Sequence, residues 1–361
     1  MCNLFFITST CAALFFCAAF ASAETKTSAP VLNEIAATDS HITNMGRIEK
    51  NNDGSVRFAY PGVSFFINAK AKSLSMVASS NSGNAWLDVI VDDGEPKVIQ
   101  IAQQPQSYEL FRFEKVGKHN VRIINRTETW QAVTSISKFD LIDGELLAGP
   151  NFPARKILVL GDSVTCAEMI DRVAGEKPDP RWNNARESYG MLTAKALNAQ
   201  VNLVCMGGRG LIRSWNGKTD ENNLPDFYQF AIPTDNNPMI WNHSQYDPDL
   251  IVSAIGTNDF SPGIPDKEIY VSTYVKLLLT LLNDHKHAQI VLTEGAILNG
   301  DKKAALIDYI AEAVKRVNDK RVHIAKSNNY PGDKTDAHPT KEQHAAMAKD
   351  LTPQLKAIMK W

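Results

Sequence analysis

The sequence predicts a two-domain chain in which an antiparallel β-sandwich of jelly-roll type precedes a doubly wound α/β domain built on a parallel sheet. Three observations carry this reading. From residue 42 to 143, short runs alternate apolar and polar residues between Asn-Asp-Gly, Ser-Gly-Asn, Asp-Asp-Gly and Val-Gly-Lys turns. Beyond residue 155, continuous apolar runs alternate with segments of helical period, the pattern of strands buried on both faces with helices between them. Between the two, DGELLAGPNFPAR (143–155) carries the Gly and Pro of a linker.

In chain order, the first 23 residues, MCNLFFITSTCAALFFCAAFASA, carry no charge and end in the small-x-small triplet Ala21-Ser22-Ala23. They read as a signal peptide cleaved before Glu24, atypical in having no Lys or Arg ahead of the apolar stretch. The run is too short and too rich in Ala, Ser and Thr to favour a membrane anchor, and Cys11 and Cys17 lack a convincing lipobox. The expected organisation is a signal peptide over 1–23, the sandwich over 24–148 and the α/β domain over 153–361, in a secreted (periplasmic or extracellular) protein without stable membrane insertion. Of 361 residues, 44% are hydrophobic and 22% charged, and the formal net charge of −2 argues against nucleic acid as a partner. Three of the five cysteines leave with the signal. Cys166 and Cys205 remain, three residues after Ser163 and three before Gly208; one bridge bracing the site and two buried thiols both fit.

The sandwich strands are expected at SVRFAY, VSFFINA, SLSMVAS, AWLDVIVD, VIQIA, YELFRF, HNVRIINR and VTSISKFDLI. The parallel strands are expected at KILVL (156–160), VNLVCM (201–206), LIVSAIG (250–256), QIVLTE (289–294) and RVHIA (321–325). Tyr270, Tyr274, Leu277, Leu278 and Leu281 share one helical face, as do Leu306, Ile310, Val314 and Val317. Asn125 and Asn242 each open a glycosylation sequon, meaningful only in a eukaryotic secretory pathway.

Ligands of such parallel sheets sit beyond the carboxyl ends of the strands, and four of those ends carry complementary groups. GDS places Ser163 at the first, GGRGL places Gly208 in a loop whose N–H groups can turn towards a ligand, and GTND places the amide of Asn258. After the last strand, DAHPTKEQ holds His338 just before a helix whose start is marked by the Thr340/Gln343 capping-box spacing. Singly, each has an ordinary structural explanation, Ser163, Gly208 and Asn258 as cap or turn residues and His338 as a satisfied surface or core residue. Together they supply acyl transfer: a hydroxyl nucleophile, an imidazole base, an acid such as Asp336 to hold its tautomer, and oxyanion donors from Ser163 N–H, Gly208 N–H and the Asn258 amide.

GDSVT, GGRGL, GTND and DAHPT resemble the four spaced blocks of the SGNH (GDSL-like) hydrolase superfamily. GDSVTC, ARESYG, GRGL, YDPDLIVSAIGTND and HPTKEQHAAMA, with GRIEKNNDGSVRFAYPGVSF and RIINRTE in the sandwich, are similar to the carbohydrate esterase family 2 deacetylases. The resemblance implies hydrolysis of acetyl esters on polysaccharides such as xylan or glucomannan, by Ser163 and His338 and without metal or organic cofactor. Superfamily members commonly space acid and base as Asp-x-x-His, whereas Asp336 precedes His338 by two residues, and some family members orient the imidazole with a backbone carbonyl. Asp333 is the second candidate for the acid. The segment AEMIDRVAGEKPDPRW (167–182) departs from the expected stretch after the nucleophile and is expected to reshape the acceptor pocket.

Trp182, Trp215 and Trp241 follow the motif blocks and are candidate platforms for sugar rings. His285 and His287, spaced i, i+2 beside charged residues, suit a solvated helix end rather than a zinc site. A lipid esterase or thioesterase on the same scaffold, and an inactive carbohydrate-binding protein, are the competing readings. Retention of Ser163, Asn258 and His338 together argues for an enzyme.

Overall fold

The computed structural model describes residues 1–2 and 30–361, so the expected signal segment lies outside the described residues apart from its first two. Among the described residues, no helix is long and apolar enough to cross a membrane.

Among the described residues, ten strands precede the parallel sheet: β1 (Leu32–Ala36), β2 (Thr43–Met45), β3 (Glu49–Lys50), β4 (Val56–Phe58), β5 (Ser64–Ser80), β6 (Ala85–Val91), β7 (Lys97–Ile101), β8 (Gln106–Asn125), β9 (Thr134–Ile142) and β10 (Glu145–Leu147), the last formed within the stretch read as a linker. All belong to one antiparallel sheet ordered β3-β4-β9-β5-β8-β6-β7, with β1 beside β9 and both β2 and β10 beside β5. The expected sandwich is thus a single sheet folded on itself. Its hinge is the long pair β5 and β8, whose register slips between Ala71 and Ser73 and again between Leu74 and Ser75. Such irregularities bend a strand and increase its twist. The first half of β5 pairs with β2 and β10, the second half with β9. Side chains alternate as the sequence pattern requires, and the two halves meet in the core, where Phe58 and Phe65 lie with ring centroids 5.3 Å apart. The sequon residue Asn125 is buried, its amide donating to the carbonyls of Ala59 and Tyr60.

The parallel sheet comprises β11 (Arg155–Gly161), β12 (Ala199–Cys205), β13 (Leu250–Ala254), β14 (Gln289–Thr293) and β15 (Val322–Ile324), ordered β12-β11-β13-β14-β15. Seven helices accompany it: α1 (Ser163–Cys166), α2 (Tyr189–Ala196), α3 (Leu224–Phe227), α4 (Thr257–Phe260), α5 (Lys267–Asp284), α6 (Gly300–Val317) and α7 (Lys341–Met359). Both faces of the sheet are covered. Leu158 and Leu160 join a core with α5, α6 and the sandwich interior, while Ile157 and Val159 join the core under α2 and α7. The strand order reverses at β11, which opens a crevice outside the carboxyl ends of β11 and β13.

The capping box forms as expected, with Thr340 capping α7 and Gln343 reaching back to it. One expectation fails. His285 is buried rather than solvated, sharing hydrogen bonds with the Tyr228 hydroxyl and Asp247, because the end of α5 packs beneath Tyr228 and His243; His287 is exposed.

Candidate active site

Ser163 is the first residue of α1, immediately after β11. Asp162 takes the capping role that Gly-Asp-Ser alone would allow for the serine: its carboxylate accepts the N–H of Val164 at 3.0 Å. The Ser163 hydroxyl is thereby free for another partner. That partner is His338, whose Nε2 lies 2.8 Å from Ser163 Oγ.

His338 is held at both ends. Its Nδ1 lies 2.5 Å from Asp336 Oδ1, and the same oxygen accepts the His338 backbone N–H at 2.8 Å. The two-residue spacing suits this pairing, because the loop turns back so that one carboxylate meets both nitrogens of its neighbour. Asp333 is not at the imidazole. It accepts Arg172 Nε at 3.1 Å and the N–H groups of Thr335 and Asp336, so it organises the loop that carries the pair. The unusual segment 167–182 therefore reaches the site twice, through Arg172 on this loop and through Glu168, whose Oε2 is 4.0 Å from His338 Nε2.

Burial of His338 would lower its pKa. The hydrogen bond that His338 donates to Asp336 and the nearby carboxylates of Glu168, Asp336 and Asp162 more than offset this and hold it above the ordinary imidazole value. Burial would raise Asp336, but its hydrogen bonds to His338 leave it below the usual carboxylate range. Burial pushes Asp162 up to about 6.

The candidate donor groups follow three adjacent strands, β12, β11 and β13. After β12, Gly208 has φ +73°, a conformation in which glycine meets no steric penalty. Among the described residues, neither the Ser163 N–H nor the Gly208 N–H donates to a protein acceptor. Asn258, in α4 after β13, donates one amide hydrogen to the Arg209 carbonyl at 2.8 Å, leaving the other free. Its neighbour Asp259 is buried and accepts the N–H groups of Leu211 and Ile212 at 2.8 Å each and of Arg213 at 3.2 Å. Gly210 has no side chain because that carboxylate occupies the space: a Cβ there would lie 2.3 Å from Asp259 Oδ2.

These groups open into a cavity of about 580 Å³ whose walls include Ser163, His338, Gly208, Asn258, Trp130 and Trp215. Of the three tryptophans expected as sugar platforms, Trp215 alone lines it, 61% exposed. Trp182 is buried in a separate groove with Trp86, Arg126 and Arg181, and Trp241 is buried beneath the Arg47 guanidinium, 5.4 Å from its ring centroid. Both are packing residues, since the loops that carry them fold back onto the sandwich. Sequence reasoning missed Trp130, 53% exposed on the cavity wall, together with Glu128 and Glu168. The resemblance at RIINRTE pointed to that stretch, but nothing in one sequence says that a sandwich loop enters the site of the other domain.

Cys166 and Cys205 form a disulfide with Cα atoms 5.7 Å apart, resolving the two alternatives in favour of the bridge. It ties α1, which begins at Ser163, to the end of β12.

Residues 44–150 match the family model Carbohydrate esterase 2 N-terminal, and residues 159–353 match that of the GDSL-like Lipase/Acylhydrolase family. The chain is 57% identical over 327 residues to an acetylxylan esterase / glucomannan deacetylase of Cellvibrio japonicus, covering 91% of both sequences. A solved family two carbohydrate esterase from Cellvibrio japonicus superimposes with a TM-score of 0.91 at 56% identity, over 92% of this chain and 99% of that one. Another from Clostridium thermocellum, in complex with cellohexaose, matches with a TM-score of 0.83 at 28% identity, over 89% and 99%.

Proposed function

From the premise that the chain belongs to carbohydrate esterase family 2 and is a carboxylic ester hydrolase, we propose that it is a secreted enzyme removing O-acetyl groups from a polysaccharide such as xylan or glucomannan, with Ser163 as nucleophile. The observation that carries the reading is the hydrogen-bonded chain Ser163–His338–Asp336, whose first two members line an open cavity.

Ser163 Oγ attacks the acetyl carbonyl as His338 Nε2 takes its proton, and Asp336 keeps the remaining imidazole proton on Nδ1. Negative charge grows on the carbonyl oxygen, and Ser163 N–H, Gly208 N–H and the free Asn258 amide hydrogen, all from residues that line the cavity, are the donors assigned to it. Such donors are each worth about 10²–10³ in rate. Collapse expels the sugar oxygen, which leaves with the proton from His338. Water then attacks the carbonyl of acetyl-Ser163 as it gives a proton to the same nitrogen, the bond from Ser163 Oγ to the acetyl group breaks, His338 returns that proton to Ser163 Oγ, and acetate leaves.

Trp130 and Trp215 stand exposed at the cavity, offering flat apolar faces of the kind that pack on sugar rings. Arg209, Asn216 and Glu221 add hydrogen-bonding groups on the same wall, which suits hydroxylated rings better than an acyl chain. The uncharged first 23 residues and the disulfide support export to an oxidising compartment.

Release of acetate from acetylated xylan or glucomannan tests the reading. Wild-type turnover that vanishes in Ser163→Ala is the expected result. No turnover, or a Ser163→Ala variant as fast as wild type, overturns it. A mature N-terminus at Glu24 in the culture medium or periplasm is the expected sign of export.

A further inference from the structure

The sandwich does more than sit beside the hydrolase domain. The loop that follows β8, residues 126–131, runs into the active site and is pinned along its length. The buried Arg126 guanidinium reaches Asp88 at 2.8 Å, Asp171 at 2.7 Å and the Arg181 carbonyl at 3.0 Å. Thr129 Oγ1 donates to the carbonyl of Cys205 at 2.7 Å, and Gln131 accepts the Asn183 amide at 2.7 Å. Between these anchors sits Glu128, with no exposed surface. One of its oxygens accepts the Gly207 N–H at 2.6 Å and the other accepts the Trp130 N–H at 3.0 Å.

We propose that Glu128 is a positioning residue for the hydrolysis, fixing the Gly207–Gly208 peptide so that the Gly208 N–H is presented to the developing oxyanion; this rests on the assignment of that N–H to the oxyanion site. The physical reason lies in the two consecutive glycines, which have more backbone freedom than any other pair of residues. A donor on such a peptide stabilises charge only if its direction is settled before the reaction. Here the peptide hangs between two fixed neighbours. Glu128 holds the N–H of Gly207 on one side, and the Trp215 N–H binds the Gly208 carbonyl at 2.9 Å on the other. The disulfide and Thr129 fix the strand end from which the loop departs.

A packing tie would not need a carboxyl group. Burying one is costly, and a second carboxyl lies close by: a Cβ on Gly207 would be 3.3 Å from Glu128 Cδ and 2.8 Å from Glu168 Oε2. Burial and then the Glu168 charge raise the Glu128 pKa, and the N–H groups of Trp130 and Gly207 that it accepts pull it back down. An acceptor with two oxygens for two N–H groups is what the site keeps at that cost.

The test uses the full mature chain and two measurements: kcat and KM for 4-nitrophenyl acetate, and the rate at which a small fluorophosphonate labels Ser163. The second reports nucleophile and oxyanion donors without any sugar. Glu128→Ala is expected to lower kcat and the labelling rate together by about 10²-fold, with KM within about threefold of wild type. Glu128→Gln keeps one acceptor but turns an NH₂ donor towards an N–H, and is expected to lose about tenfold in both. Folded Glu128→Gln with labelling and kcat within twofold of wild type overturns the proposal, even if Glu128→Ala fails to fold. A wild type that is labelled but releases no acetate from polysaccharide sinks the substrate reading alone.

Discussion

Asp336 meets His338 at two points with one oxygen, 2.5 Å from the ring Nδ1 and 2.8 Å from the backbone N–H. The ring is oriented by a carboxylate that the same turn holds still. Asp336→Asn is therefore expected to lower kcat by about 10³–10⁴-fold with little change in KM, since an amide favours the wrong imidazole tautomer. Asp333→Asn is expected to cost at most about tenfold, because it touches the loop and not the imidazole. Steady-state kinetics of the two variants decide between the carboxylates, and the reverse ranking would reassign the acid.

The imidazole serves as base only when neutral. Because His338 is raised above its ordinary value, its imidazolium persists to higher pH, and kcat/KM should rise with pH through a midpoint above about 6.5. Glu168→Gln removes one of the carboxylates that favour the imidazolium, so the midpoint should move down. A pH–rate profile of wild type and variant checks the sign; an unmoved midpoint would show that Glu168 does not sense the base.

Asn258→Ala removes a donor while leaving Ser163 and His338 in place. The expected loss in kcat is about 10²–10³-fold. A KM effect without a kcat effect would place the amide on the substrate rather than on the oxyanion.

The two roles of tryptophan separate by substrate size. Trp215→Ala is expected to raise KM for an acetylated oligosaccharide about tenfold or more while changing that for 4-nitrophenyl acetate little, since loss of one ring face costs on the order of 1–2 kcal/mol. Trp182→Ala should instead destabilise the fold by about 3–5 kcal/mol, as buried indole loss does. Thermal melts beside the kinetics distinguish them.

The Cys166–Cys205 bridge closes a loop with a sequence separation of 39 residues, which corresponds to about 3–4 kcal/mol in the chain-entropy account. Cys205→Ser should lower the thermal midpoint. It should also lower kcat, because the bridge ties α1, which begins at Ser163, to the strand that leads into the Gly208 loop. Equal melting curves with and without reductant would show that the bridge contributes nothing.

The amino-acid order by itself determined the succession of an antiparallel and then a parallel sheet, the five parallel strands, the start of α7 at its capping box and the residues at the strand ends, because these follow from local period, turn chemistry and caps. Ser163, His338, Gly208 and Asn258 were legible for the same reason: each sits at a fixed place beside a local signal. Their convergence on one cavity, the placement of Asp336 rather than Asp333 at the imidazole and the pairing of Cys166 with Cys205 were decided by the reversal of strand order at β11 and by loop packing. So were the burial of Trp182, Trp241 and His285 and the arrival of Glu128 and Trp130 from the sandwich. Those outcomes depend on contacts between residues far apart along the chain, for which a single sequence carries no local period or spacing.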